Sequence, residues 1–289
     1  MLAIPNSWGI KPNDLRSNNR KIKVRGCFPT VKMALFLSLL VLTVNFSVWA
    51  DANPAAATND PAAFVRRAGE NFKAAQARFL AETNNPEAEW QFGRAAFDWA
   101  DHATSDAQRA TIAQQGIAAC RRLIERDPDS APGHYYLAMN LGQLARTKKL
   151  GALKIVDQME AEFKIALSLD PSLDYGGPDR NLGLLYFEAP GWPASIGNKG
   201  KARQHFQRAL KIAPAYPDNL LNLIEAELKW NDRAGAARDM KTLDQLWPAA
   251  RKKLTGDEWA STWADWEKRK TTFEAKTNES SRTVEPRRR

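Results

Sequence analysis

The sequence has few of the residues that carry catalytic or metal chemistry. It contains three histidines, His102, His134 and His205, and none stands at the spacing from cysteines or carboxylates that is typical of a metal site. The chain also lacks a Gly-x-Ser-x-Gly nucleophile motif and a phosphate-binding loop between a strand and a helix. We therefore predict that the protein is not an enzyme and requires no metal ion or cofactor.

The formal net charge of the chain is +9, but the residues between its two ends carry no excess of positive charge. Residues 1–50 contain seven basic and one acidic residue, and residues 276–289 contain five basic and two acidic residues. The residues between them hold equal numbers of both signs. A protein that tracks phosphates needs basic charge gathered on its folded surface. The distribution argues against a nucleic-acid partner.

A long apolar run lies near the N-terminus. Residues 33–50, MALFLSLLVLTVNFSVWA, follow a basic stretch that ends at Lys32, and the run is short for a membrane span. We interpret residues 1–50 as a signal peptide with a basic leader, cleaved near Ala50, with Met33 as a second candidate start. This predicts export to the periplasm. The alternative is an uncleaved N-terminal anchor, which alone would hold the protein at a membrane.

Cysteine is nearly absent. Cys27 falls in the predicted leader and has no leucine-rich lipobox before it, so we do not expect a lipid anchor. After cleavage Cys120 is the only cysteine, which excludes an internal disulfide. In the segment IAACRRLIER it occupies a core-facing helical position. We expect a small buried apolar side chain there, not a nucleophile.

Four segments end in the same way, at prolines spaced by 43, 43 and 34 residues. Before each proline, small and large apolar residues recur at intervals of four and three, which is one face of a helix. We predict that each proline ends its helix, because proline cannot continue the backbone hydrogen-bond ladder. The prolines are Pro128, Pro171, Pro214 and Pro248.

A second helix precedes each of these, and it places a small residue beside an apolar one, as in NLGLLYF at residues 181–187. A small residue lets the paired helix approach closely. The combined pattern resembles the tetratricopeptide repeat, a helix-turn-helix unit of 34 residues. The resemblance covers residues 87–248 and implies four repeats in an all-α solenoid of helical hairpins. The third repeat carries the fullest set of motif residues, namely Leu182, Gly183, Tyr186, Ala202, Phe206, Ala209 and Pro214.

Segments on either side of the repeats are suited to cover the ends of a solenoid. We predict an N-terminal cap helix within residues 51–86 and a C-terminal capping helix within residues 249–275. Trp259, Trp263 and Trp266 form one stripe on the second of these, and we favour a capping role over a binding site. Residues 276–289 are polar and basic, and we predict that they are disordered.

Two repeats are nine residues longer than the standard unit, and the extra length falls near residues 145–154 and 188–200. Stacking brings equivalent turns together along one edge, where loops held on a rigid scaffold concentrate binding residues. Trp192 lies at the centre of the second insertion, between Pro190 and Pro193. It is either an exposed anchor for a partner or a plug that buries its ring on the solenoid edge, and the plug is favoured.

Further candidate binding residues lie on the preceding helices. Asp179 and Arg180 follow a Gly-Gly bend that could place them on the inner surface, although an N-cap role is favoured for Asp179. The remaining candidates are aromatic or polar residues of the second and third repeats, Tyr136, Asn140, Tyr186 and Phe187.

Together these features predict an exported scaffold that binds a protein partner through its concave face and long turn loops. The order GGPDRNLGLLYFEAPGWPASIGNKGKARQHFQRAL also looks like the T component associated with TRAP transporters. That resemblance implies a periplasmic substrate-binding protein as partner and a ligand channel through the solenoid. A small-molecule carrier is therefore the alternative function, and it would require an enclosed apolar tunnel.

Overall fold

The structure, a computed structural model, describes residues 60–148 and 151–282. Within these ranges it contains ten α-helices, a short 3-10 turn at Asp257–Trp259 and one isolated bridge between Gly191 and Gly197. The predicted signal peptide lies outside the described residues. The helices are α1 Pro61–Ala81, α2 Pro86–Asp101, α3 Asp106–Arg126, α4 Ala131–Arg146, α5 Ala152–Leu169, α6 Leu173–Glu188, α7 Lys199–Ile212, α8 Pro217–Lys229, α9 Arg233–Lys253 and α10 Ala260–Arg282.

Helices α2 to α9 form four hairpins of two helices each, and the longest connection within a hairpin joins α6 to α7. Each hairpin packs on the next, α1 packs on α2, and α10 packs on α8 and α9. The prediction of an all-α solenoid of helical hairpins is confirmed. A salt bridge between Arg67 of α1 and Asp257 also joins the first described helix to the turn that precedes the last, with 3.1 Å between Nη2 and Oδ2.

Side-chain caps and prolines set most of the helix limits. Asn85, Ser105, Ser130, Asn198 and Asp232 each accept a hydrogen bond from a backbone N–H of the first helical turn. At the other end, the first three repeat prolines each stand two residues beyond the last helical residue. Sequence reasoning therefore located these ends well.

The prediction that Pro248 ends its helix is wrong, because α9 continues through it to Lys253. Proline removes one backbone donor from the ladder. The turn beyond it is held by packing instead, since Ala250 and Leu254 are buried. Trp263 also donates from Nε1 to the Leu254 carbonyl at 2.7 Å.

The C-terminal helix covers the fourth repeat. Trp259, Trp263 and Trp266 are buried against a cluster that includes Tyr216 and Leu243, as the capping interpretation requires. The helix is longer than expected. Residues 276–282 continue α10, so the prediction that disorder begins at 276 is wrong for these residues.

The repeat cores are packed tightly, and Cys120 is part of them. Its side chain is fully buried, and burial raises the pKa of the thiol, which suits an inert core position. In the part of the chain that the structure describes, no helix is long and apolar enough to cross a membrane. The same residues contain no group of three or more His, Cys, Asp or Glu side chains that could hold a metal ion.

Glycines on the first helix of a hairpin allow close approach, as the sequence pattern predicts. A Cβ on Gly93 would lie 2.3 Å from the Cys120 sulfur, and a Cβ on Gly183 would lie 2.6 Å from the Phe206 ring. Both distances are far below van der Waals contact. The second helix therefore rests directly on the backbone of the first.

We expect Gly183→Ala to lower the free energy of unfolding by about 1–3 kcal/mol, because the new methyl group must push the Phe206 ring out of its place. Urea unfolding followed by circular dichroism measures the change. Gly200→Ala is the matched control, since a Cβ there would meet only the side chain of Asn198, at 3.3 Å. Equal stability of the two variants would contradict the close-approach argument.

Candidate functional site

The turn between α6 and α7, residues 189–198, is an ordered loop, here called the repeat-three loop. Gly197 donates from its N–H to the Pro190 carbonyl at 2.8 Å, and Asn198 donates to the Tyr186 carbonyl at 2.8 Å. A side chain on Gly197 would collide with the backbone, since a Cβ would lie 2.1 Å from the Ala189 carbonyl oxygen. These contacts fix the shape of the loop without help from its aromatic residue.

Trp192 projects from this loop into solvent. Its side chain is 88% exposed, the most exposed of the large apolar residues described, whereas Ile196 packs against the main core cluster. The favoured prediction that Trp192 plugs the solenoid edge is therefore wrong. Ile196, which is half-buried, packs against the solenoid edge instead, and the Trp192 side chain remains exposed. Its role as an anchor for a partner stays a prediction.

Basic side chains stand beside the loop over aromatic rings. The Lys199 ammonium lies 5.3 Å from the centre of the Trp230 ring, and the Lys201 ammonium lies 5.0 Å from that of Tyr186. These distances are within the range of cation–π attraction. The bridge between Gly191 and Gly197 holds together the two backbone segments that lead into Trp192 and Lys199.

Other cations at this edge are already paired. Arg203 contacts Glu227 at 3.1 Å and Asp232 at 2.8 Å, while Lys229 contacts Glu188 at 3.0 Å. Burial is the main cause that raises the pKa of Glu227, to about 7, and the neighbouring Asp239 adds to the shift. Lys199 and Lys201 are exposed. Neither has a carboxylate within ion-pair distance among the described residues, and Lys201 is attracted by Glu160 from further away.

Tyr186 and Phe187 form the floor below the loop. The Tyr186 hydroxyl donates a hydrogen bond to Glu160, and burial together with that bond raises the tyrosine pKa. Phe187 packs edge-to-face on Trp230, with 5.5 Å between ring centres. The structure therefore brings Trp192, Tyr186 and Phe187 to one edge, but only Trp192 is fully available to a partner.

Arg180 lies deep between α6 and α8. Its side chain is 2% exposed and pairs with Asp174 and, at 3.3 Å, with Asp218. It also donates to the Asp174 carbonyl at 3.0 Å and to Asn219 at 3.2 Å. Burial alone would lower its pKa, but the combined attraction of Asp174, Asp218 and neighbouring tyrosines outweighs that effect and the pKa is raised. The predicted binding role does not fit a side chain so fully engaged.

The backbone before Arg180 is strained. Asp174, Tyr175 and Gly176 all have positive φ values of 50°, 57° and 80°, which is a rare conformation for the first two. The Asp174 carboxylate accepts from the Tyr135 hydroxyl at 2.9 Å, so α4 also takes part in fixing this bend. The bend is thus held by contacts to neighbouring helices, which compensate its strain.

Asp179 is not an N-cap. It is buried, and its Oδ1 lies 2.7 Å from His205 Nδ1 and accepts from Arg208 Nε at 2.8 Å. The carboxylate therefore ties α6 to α7 instead of ending a helix. The favoured interpretation from sequence is wrong, because two side chains 26 and 29 positions further along the chain bind the group.

Tyr136 and Asn140 are also buried within the helix packing. Asn140 donates from Nδ2 to the carbonyls of Gly93 and Tyr136, both at 2.8 Å, and so joins α4 to α2. The Tyr136 ring stacks on Trp90, with 5.8 Å between centres. Neither side chain is presented to a partner on the concave face.

Two groups of residues were missed by sequence reasoning. Lys199 and Lys201 could have been found, because residues 189–213 contain five basic and no acidic residues. Arg269 could not have been found from the sequence. It reaches from α10 to Asp218 at 2.7 Å and Asn222 at 2.6 Å, and no local sequence pattern indicates that contact.

One solved structure of a tetratricopeptide-repeat protein agrees with this architecture. The crystal structure of TTC0263, a thermophilic TPR protein of Thermus thermophilus, aligns with a TM-score of 0.55 and 16% identity, covering 73% of this chain and 92% of TTC0263. The chain has a tetratricopeptide-type fold. A structure of the MamA RS-1 ArsTM double mutant aligns with a TM-score of 0.44 and 16% identity, covering 65% and 90% of the two chains.

The sequence comparisons cover a smaller part of the chain. Residues 66–174 match the family model described as regulator of microtubule dynamics protein 1-3, which is less than half of the chain. The match ends before the repeat-three loop begins. No curated protein matches the sequence.

We expect Arg180→Leu to lower the free energy of unfolding by about 3–5 kcal/mol, because it leaves the Asp174 and Asp218 carboxylates buried without their cation. Adding Asp174→Asn should restore part of the loss, and asparagine tolerates the positive φ of that position. Urea unfolding by circular dichroism measures both variants.

The control for this prediction is Arg238→Leu. Arg238 contacts Asp239 at 2.9 Å but its side chain is 67% exposed. An exposed pair contributes no more than about 1 kcal/mol. If Arg180→Leu costs no more than the control, Arg180 does not have the organising role described here.

Proposed function

We propose that the protein is a scaffold that binds a protein partner through the repeat-three loop, with Trp192 as the anchor. The observation that carries the proposal is the 88% exposure of Trp192 on an ordered loop. Tryptophan is enriched among residues that dominate binding energy, and loops on rigid helical supports are frequent binding surfaces. A rigid anchor also loses little conformational entropy on binding.

The proposal places binding on the loop edge and not on the concave face. The inner-surface candidates Tyr136, Asn140, Asp179 and Arg180 are buried and bonded to neighbouring helices. A partner could reach them only by separating helices. The loop needs no rearrangement, because its backbone hydrogen bonds form without the indole.

The small-molecule carrier remains the alternative. It needs an enclosed apolar tunnel, whereas the space between α6, α8 and α10 holds charged groups in mutual contact, including Arg180, Asp218 and Arg269. This lining favours the scaffold. A substrate-binding protein remains one candidate partner under either function. The microtubule-related family description supplies no further support, since its match excludes the loop.

Export to the periplasm is part of the proposal and is supported by the N-terminal sequence alone. We expect the intact mass of protein from its native source to correspond to a chain that begins near Asp51. A mass that still includes residues 33–50 would contradict cleavage and favour the membrane-anchored alternative. Matched samples from whole cells and from the periplasmic fraction test the compartment at the same time.

A photo-crosslinking amino acid at position 192 tests the binding surface. We expect irradiation in the native cell to give one discrete crosslinked protein, because an anchor side chain lies at the centre of its interface. Mass spectrometry identifies the product. The matched control carries the same crosslinker in place of Leu80 of α1, which is 68% exposed and far from the loop along the chain.

Comparison of the crosslinked products from positions 192 and 80 distinguishes a specific partner from nonspecific crosslinking. A product that forms at position 192 and not at position 80 supports the proposal. No product at 192, or the same products from both positions, would show that the loop has no specific partner.

A further inference from the structure

We infer that the segment received by the repeat-three loop is an acidic polypeptide, whose carboxylates meet Lys199 and Lys201 while an apolar side chain meets Trp192. The inference rests on the proposed function and specifies its partner. It follows from the local charge, from the pairing of that charge and from the arrangement of the aromatic rings.

The local charge is strongly one-sided. Residues 189–213, which comprise the loop, α7 and the residue after it, contain five Lys or Arg and no Asp or Glu. Residues 51–275 as a whole contain equal numbers of both signs. This segment of the chain is therefore more basic than the fold as a whole, and the carboxylates that neighbouring segments bring to the same edge, Glu188, Glu227 and Asp232, are paired with Lys229 and Arg203.

Only part of this charge is neutralised within the protein. Arg203 is paired with Glu227 and Asp232, and Arg208 is paired with Asp179. Lys199 and Lys201 are exposed and have no carboxylate within 4.0 Å in the described residues. Lys201 is also attracted by Glu160 from beyond ion-pair distance. Neither lysine is closed off by an ion pair, so both ammonium groups can meet carboxylates from outside.

The two lysines are also held in position. The rings of Trp230 and Tyr186 lie beneath their ammonium groups, at 5.3 Å and 5.0 Å. Contact with a ring face restrains a long side chain and reduces the entropy that binding must remove. Oppositely charged segments would be steered to this edge and held in one register.

An acidic polypeptide fits this surface better than an anionic membrane does. Interfacial membrane binding needs a broad apolar face, whereas the loop presents a single exposed indole. Phe187 and Trp230 are half-buried and packed on each other. One apolar contact flanked by two cations matches an extended chain that carries an apolar residue among acidic ones.

The test titrates the full chain with a fluorescent copolymer of glutamate with a minority of tyrosine, and separately with poly-L-glutamate. We expect Lys199→Gln/Lys201→Gln to weaken copolymer binding about tenfold, because both carboxylate contacts are lost. Trp192→Ala should weaken binding of the copolymer more than binding of poly-L-glutamate. The matched control, Lys252→Gln/Lys253→Gln, removes the same charge from exposed positions of α9 and should change affinity by less than about twofold.

Three results would overturn the inference. Equal losses in the two double variants would show that net charge alone attracts the polymer. Binding to phosphatidylglycerol vesicles that depends on Trp192 and the two lysines, with no such dependence for the copolymer, would assign the surface to a membrane. If the position-192 crosslink forms while copolymer binding is insensitive to the lysines, a partner exists but is not acidic. The proposed function itself fails when the crosslink at position 192 is absent or when position 80 gives the same products.

Discussion

The buried guanidinium of Arg180 is the constraint on which the inner helices depend. It joins the bend before the main part of α6 to Asp218 and Asn219 at the start of α8. A guanidinium offers five donors in one plane, so a single side chain can fix several elements at once. Removal of such a group from water is tolerated only because carboxylates and carbonyls surround it. The left-handed residues Asp174 and Tyr175 persist because this network holds them.

The location of the free surface follows from that constraint. The inner surface of the solenoid stabilises the packing between helices, because the side chains there, Arg180, Asp179 and Asn140, contact neighbouring helices. The inserted turn between α6 and α7 carries its own hydrogen bonds and is seated by Ile196. Trp192 contributes nothing to that seating, which is why its exposure points to recognition and not to folding.

Features governed by short spacings were predicted well. The helix ends before Pro128, Pro171 and Pro214, the close approach at Gly183 and the burial of Cys120 all depend on residues within one helical hairpin. Predictions that concerned side-chain partners were less successful. The roles of Asp179 and Pro248 were wrong because contacts from other helices outweighed the local preference for a cap and for a helix end.

The sequence by itself determined the hairpins, their number and the position of the long loop, because helical periodicity and the steric properties of glycine and proline act over a few residues. Only the tertiary structure decided which side chains are free. Arg269 meets Asp218 across 51 positions, and Arg180 meets Asn219 across 39. Such contacts form only when helices pack. Trp192 stays exposed because Ile196 occupies the adjoining part of the core.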